Sequence, residues 1–200
     1  MKRSSFTVLA VSILLTFTSF NVYAGVATDR IKTATDKLIE IVSDHDLDSP
    51  EMADERERMI RETVDTVFDW VESSRRALGK HWKNLSKEER KEFTTLFGKL
   101  IERTYMDRTR QYSGEKMTFL KEETEGRHGS VEAKVIAKNG AEIFLKFHII
   151  KRKETWFVYD VFVEGLSLVK NYREQFNSIL AKPDYNYNKL LADLKNKLEK

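Results

Sequence analysis

The side chains best able to do chemistry are few in this sequence and stand apart from one another. Cysteine is absent, and the four histidines, His45, His81, His128 and His148, occur singly. No HExxH, GxSxG or Gly-rich phosphate loop is present, so metal-assisted hydrolysis, serine acyl transfer and nucleotide hydrolysis all lack their usual residues. His148 falls in an apolar run that reads as strand, and His81 stands beside Trp82. Either is able to ligate, and a satisfied structural histidine is the simpler reading. The remaining candidate is Asp160 in "WFVYDVFV" (156–163). Desolvation inside an apolar strand disfavours a carboxylate, raises its pKa and suits it to the general-base chemistry of small α+β isomerases. The competing reading is an acid paired with an arginine or a backbone N–H.

The elements that must hold these residues follow from hydrophobic period. Ile31, Ala34, Leu38 and Ile41 recur at three and four residues, which predicts a helix over 28–43. Ser49 and Pro50 open a second helix running to about Phe68, with Glu51, Asp54 and Glu55 near its positive end. Asp69 and Glu72 have capping-box spacing before a short helix that Gly79 stops. Ser86 and Glu89 start the strongest helix, whose Phe93, Leu96, Phe97, Leu100 and Ile101 fill one face. After Gly114 the period changes to two. Strands are expected at 117–124, 130–138, 141–152 and 155–164, with Asn139-Gly140 in a two-residue hairpin turn. Under strict alternation Trp156, Val158, Asp160 and Phe162 share one face, and Phe157, Tyr159, Val161 and Val163 the other. Both faces of this strand are apolar, so it belongs inside a layered structure. Helices over 167–180 and 187–198 close the chain, and the class is α+β: helices, an antiparallel sheet of about four strands, then helices.

Composition narrows the setting. Lys2 and Arg3 precede an uncharged run over 6–20 and then "NVYAG", with Val22 and Ala24 in a small-residue cleavage pattern. Residues 1–24 read as a signal peptide, and the run falls short of the roughly 20 residues that span a bilayer. Cleavage leaves 176 residues (200 − 24), one domain over 25–200. A secreted chain without cysteine must be held by packing alone, and the periplasm of a Gram-negative bacterium is the expected compartment. Losing Lys2 and Arg3 leaves 33 basic residues (35 − 2) against 32 acidic ones, so charge gives no footprint for nucleic acid. The clusters "SSRRALGKHWK" and "IIKRKE" read as solvated faces.

What remains is a surplus of large apolar side chains, among them Phe93, Phe144, Trp156, Phe157, Phe162 and Phe176. A lipid cavity would use them, and so would a thick ordinary core. The stretches "FDWVESSRRALGKHWKNLSKEERKEFTTLFGKLIERTY" (68–105) and "WFVYDVFVEGLSLVKNYREQF" (156–176) resemble the MlaC family, the periplasmic phospholipid-binding components of the Mla ABC lipid-transport system, also called toluene-tolerance proteins. The resemblance implies a carrier with an apolar pocket between a curved sheet and helices. It also implies phospholipid as cargo, no cofactor, and exchange with an inner-membrane Mla ABC transporter complex and an outer-membrane lipoprotein–porin complex to maintain outer-membrane lipid asymmetry. Helical and strand phase then nominate Phe97, Leu100, Ile101, Tyr105, Val135, Phe147, Val161, Val163, Leu168, Val169 and Tyr172 for the tails, each of which also suits an ordinary core. Lys170 and Arg173 are nominated for the headgroup rim. No catalytic or metal site is expected. The alternatives are an isomerase-like enzyme using Asp160 and a lipid-free envelope adaptor.

Overall fold

The computed structural model describes residues 25–109 and 114–199, with side chains as far as residue 104 in the first segment. The leader reading over 1–24 and the Tyr105 side chain lie outside the described residues. Helix α1 spans Val26–Ser43 and buries Ala27, Ile31, Ala34 and Ile41 along one face. A short 3-10 turn at Pro50–Met52 precedes helix α2, Ala53–Val67. The expected helix start at Pro50 is therefore this turn: Met52, at φ −96°, ψ 0°, lies outside helical geometry and separates the turn from α2, and Ser49 makes no side-chain cap bond.

Helix α3 spans Trp70–Leu78, and its Asp69 cap accepts the Glu72 N–H at 2.9 Å, as the spacing predicted. Gly79, at φ +60°, ends it in the left-handed region that favours glycine. Helix α4, Lys87–Thr109, begins with the reciprocal capping box: Ser86 N–H donates to Glu89 Oε2 at 2.7 Å, and Glu89 N–H to Ser86 Oγ at 3.1 Å.

Five antiparallel strands follow in meander order: β1 Lys116–Glu125, β2 His128–Ile136, β3 Glu142–Arg152, β4 Thr155–Val163 and a two-residue β5, Leu166–Ser167. Helices α5, Leu168–Leu180, and α6, Tyr187–Glu199, complete the chain. The architecture is the expected α+β, with one more short strand than the sequence pattern predicted. The β2–β3 connection is wider than the expected two-residue turn. Gly140 is the one residue of it at positive φ (+82°), whereas a type I′ turn needs two, and Ala137 N–H donates to Ala141 O at 2.9 Å.

Strict alternation fails in β4, and this changes which residues share a face. Ile149 pairs with Val158 but His148 pairs with Asp160, so Tyr159 is an extra, unpaired residue. This bulge returns Val161 and Val163 to the face of Trp156 and Val158, and turns Asp160 and Phe162 to the face of Phe157. The bulged Tyr159 carbonyl accepts the Ser73 hydroxyl of α3 at 2.7 Å, which satisfies the group the ladder leaves free. The strand is not central. Its outer edge is closed by β5 and by the α2–α3 junction, where Asp69 N–H donates to Val158 O at 2.8 Å.

Two main apolar clusters result. One joins α3, α4, α5 and α6 through Leu78, Phe93, Phe97, Leu100, Tyr172, Phe176 and Leu190. The other lies between α1 and the sheet: Ala27 and Ile31 against Val131, Ile149, Trp156 and Val158. Phe68 packs on the sheet cluster and Trp70 on the helical one, and their rings stack at 4.7 Å. A Cβ built on Gly98 of α4 would lie 3.8 Å from the Trp70 ring, so that ring rests directly on α4. We predict that Trp70→Ala costs about 3 kcal/mol in urea unfolding; a loss below about 1 kcal/mol would mean the clusters cohere without the stack.

Glu72 is buried beside this junction and holds three arginines. Arg75 and Arg76 reach its Oε1 at 2.6 and 2.7 Å, and Arg152 reaches Oε2 at 3.2 Å while also binding Asp69 at 2.7 Å. Burial pushes the Glu72 carboxyl up, and the hydrogen bonds and charges of Arg75 and Arg76 more than reverse this, holding it at about 2 against an ordinary value of 4.5. A depressed carboxyl contributes stability that is complete above its unfolded value and is lost as pH falls through its folded one. Glu72→Gln is thus expected to be less stable at pH 7 but to lose less stability than the parent between pH 4.5 and 2, measured as urea midpoints across that window.

Candidate functional site

The α1-facing surface of the sheet is apolar apart from Glu122 and Lys151 at the end that α1 approaches, and α1 covers only that end. Strand register places Met117, Phe119, Val131, Ala133, Val135, Ile143, Leu145, Phe147, Ile149, Trp156, Val158, Val161 and Val163 on this face. Beneath α1, Val131, Ile149, Trp156 and Val158 are buried. Toward the β2–β3 connection, Met117, Val135, Ile143, Leu145 and Val163 are only half-buried. Phe119, Phe147 and Val161 bridge the two zones.

Chain connectivity brings two helices to the open end. Thr109 closes α4 seven residues before Lys116, which pairs with Ile136 at that end of the sheet. α5 starts directly after β5, whose Leu166 pairs with Val163. Thr104 Oγ1 lies 3.2 Å from the Tyr172 hydroxyl, tying α4 to α5.

The described residues nominated for the tails divide between the sheet face and the helical cluster. Val135, Phe147, Val161 and Val163 share the sheet face just described. Phe97, Leu100, Ile101, Val169 and Tyr172 are buried in the helical cluster, with Leu168 packed against it. Phe97 and Tyr172 meet edge to face at 5.3 Å, and Phe97 also packs on Phe93 and Phe176. Lys170 is exposed and sits 3.8 Å from Glu174. Arg173 lies over Gly79 and lines a cleft of about 340 Å³ with Lys80, His81 and Asn177, on the helical side of the molecule.

Met117, Phe119, Ile143 and Leu145 were missed. Hairpin pairing could have found three of them, because Val135 pairs with both Met117 and Ile143, and Ala133 with Leu145. A register shift between Phe119 and Lys121 interrupts the alternation and hides Phe119 from the same rule.

Asp160 has a structural task. It is buried on the opposite face, where its carboxylate accepts the Ser167 hydroxyl at 2.6 Å and the Val169 N–H at 3.0 Å, fastening the first turn of α5 to the sheet. Ser167 in turn caps that helix by accepting the Lys170 N–H at 2.8 Å. This is the paired-acid alternative, not the arrangement of a free general base. His148 stands opposite Asp160 in register and packs on the Phe162 ring at 4.4 Å; burial pushes its pKa down. Among the described residues no three His, Cys, Asp or Glu side chains converge as a metal site, and no helix is long and apolar enough to cross a membrane.

The family model described as MlaC protein matches residues 32–196. The intermembrane phospholipid transport system binding protein MlaC of Haemophilus influenzae is 31% identical over 112 residues, 54% of this chain. The chain spans about half of that relative's length, 52%. A solved structure of a phospholipid-binding protein from Ralstonia solanacearum, in complex with a phospholipid, superposes with a TM-score of 0.76 at 22% identity and covers 88% of this chain and 100% of that one. At that identity the likeness speaks to the fold, and the fold is the one described above. With the match spanning residues 32–196, the chain belongs to the MlaC family.

Proposed function

We propose that this protein is a periplasmic phospholipid carrier, cleaved after Ala24 and working as a single domain over 25–200. It would take lipid between an inner-membrane Mla ABC transporter complex and an outer-membrane lipoprotein–porin complex, and so maintain outer-membrane lipid asymmetry. The observation that carries the reading is the half-buried apolar row Met117, Val135, Ile143, Leu145 and Val163, which continues the sheet core out from under α1. Family membership supports it, and so do the phospholipid held by the Ralstonia protein and the printed name of the Haemophilus relative.

Energetics explain why a carrier needs such a surface. Each buried methylene contributes about 0.8 kcal/mol, so two acyl chains with roughly thirty of them cost on the order of 24 kcal/mol to bring into water. A carrier has only to match the bilayer interior approximately, and a host that bound tails far better would not release them. The tails lie along Val135, Phe147, Val161 and Val163 in this proposal. Phe97 and Leu100 support the wall from within, and the headgroup stays at the open end near Lys170. Lipid is cargo here, not a cofactor. No catalytic residue is assigned, since Asp160 is occupied in holding α5.

Native mass spectrometry of protein purified from the periplasm, followed by solvent extraction, tests the proposal. Adducts of phospholipid mass are expected, and a bare chain from repeated preparations would refute carriage. A companion prediction separates the surface from the core. Val163→Trp is expected to lose most of its bound phospholipid while melting near the parent. Leu100→Trp overpacks a side chain that is 2% exposed and is expected to lose about 1–3 kcal/mol of stability. Undiminished lipid loading in a folded Val163→Trp protein would move the tail site elsewhere.

A further inference from the structure

Glu122 stands on the α1-facing side of β1, opposite Val131, and reaches the start of α1. Its Oε2 accepts the Thr28 backbone N–H at 2.7 Å and the Thr28 hydroxyl at 2.6 Å. Gly25, the N-cap of α1, lies against the same carboxylate: a Cβ built there would fall 2.1 Å from Glu122 Cδ and Oε1 and 2.2 Å from Oε2. A residue's backbone nitrogen lies about 2.5 Å from its own Cβ position, so the Gly25 nitrogen is within about 4.6 Å of a carboxylate oxygen. Gly25 has φ −73° and ψ 163°, a conformation open to any residue. A side chain at Gly25 would have to displace the Glu122 carboxylate, the movable end of that side chain. Glu122 is half-buried and forms no ion pair with a described side chain.

We propose that cutting the Ala24–Gly25 bond completes this site, with the new α-ammonium of Gly25 as the counter-ion of Glu122 and the pair latching α1 onto β1. The inference rests on the leader reading of residues 1–24. A signal peptidase adds water across the peptide bond: oxygen goes to the Ala24 carboxylate, and the Gly25 nitrogen leaves as an ammonium. Its ordinary pKa of about 7.7–8.0 keeps it mostly protonated at neutral pH. Before the cut the same nitrogen is an uncharged amide, so the precursor lacks the ion pair. The first turns of α1 supply Ala27 and Ile31 to the sheet cluster, so the latch fixes the helix over the closed end of the apolar face in the mature protein only.

The test begins with the intact mass and N-terminal sequence of the periplasmic protein. Melting temperatures are then compared for the chain starting at Gly25 and for a chain retaining residues 22–24, each with and without Glu122→Gln. Glutamine keeps the acceptor for Thr28 and removes the charge. In the Gly25 chain Glu122→Gln is expected to lower Tm by about 2–4 °C, and in the extended chain by less than about 1 °C. The extended parent should itself melt below the Gly25 parent by a similar margin, a comparison that needs no substitution. Equal shifts in both chains, or equal parents, would overturn the latch while leaving the cleavage reading intact. A natural terminus other than Gly25 would overturn both.

Discussion

The extra residue at Tyr159 is the constraint from which the rest of the molecule can be followed. Without it, Val161 and Val163 would face away from Trp156 and Val158, and the apolar face would stop halfway along β4. The same shift aims Asp160 at the first turn of α5 and leaves the Tyr159 carbonyl free for Ser73 of α3. A bulge usually costs ladder hydrogen bonds. Here the freed Tyr159 carbonyl is taken by Ser73 of α3 and the neighbouring Asp160 side chain holds α5, so the irregularity becomes a point at which the helical layer is fastened to the sheet.

That fastening lets the molecule hold two apolar clusters without merging them. The helical cluster is closed by aromatic contacts around Phe93 and Phe97, and it has the dense packing of an ordinary protein interior. The sheet cluster is closed by α1 at one end and thins toward the other, where side chains are only half-buried. One layer is buried throughout its centre, while the other leaves apolar side chains half-buried, a division that would serve the proposed carriage. The Phe68–Trp70 stack joins them, and the arginine cluster on Glu72 lies beside it on α3.

Family membership rests on the order of residues over 32–196, whereas the half-buried apolar row is seen in register and burial. The enzyme alternative weakens for a local reason. The most interesting acid, Asp160, is already spent on two hydrogen bonds that position a helix.

Local physics was legible in the sequence. The Ser86–Glu89 capping box, the Asp69 cap, the Gly79 stop and the change of period after Gly114 each depend on residues a few positions apart, and each appears in the structure. The sequence by itself therefore determined the helices, the antiparallel meander, the α+β class and, through the resemblance of residues 68–105 and 156–176, the family. Tertiary structure decided the faces. The β4 bulge is satisfied by Ser73, 86 residues away, and Glu122 meets Thr28 across 94 residues, distances at which no pattern of period two or four carries information. Only packing could settle that Phe97 and Val161 belong to different clusters, because burial is a property of what the folded chain lays over a residue and not of its neighbours in sequence.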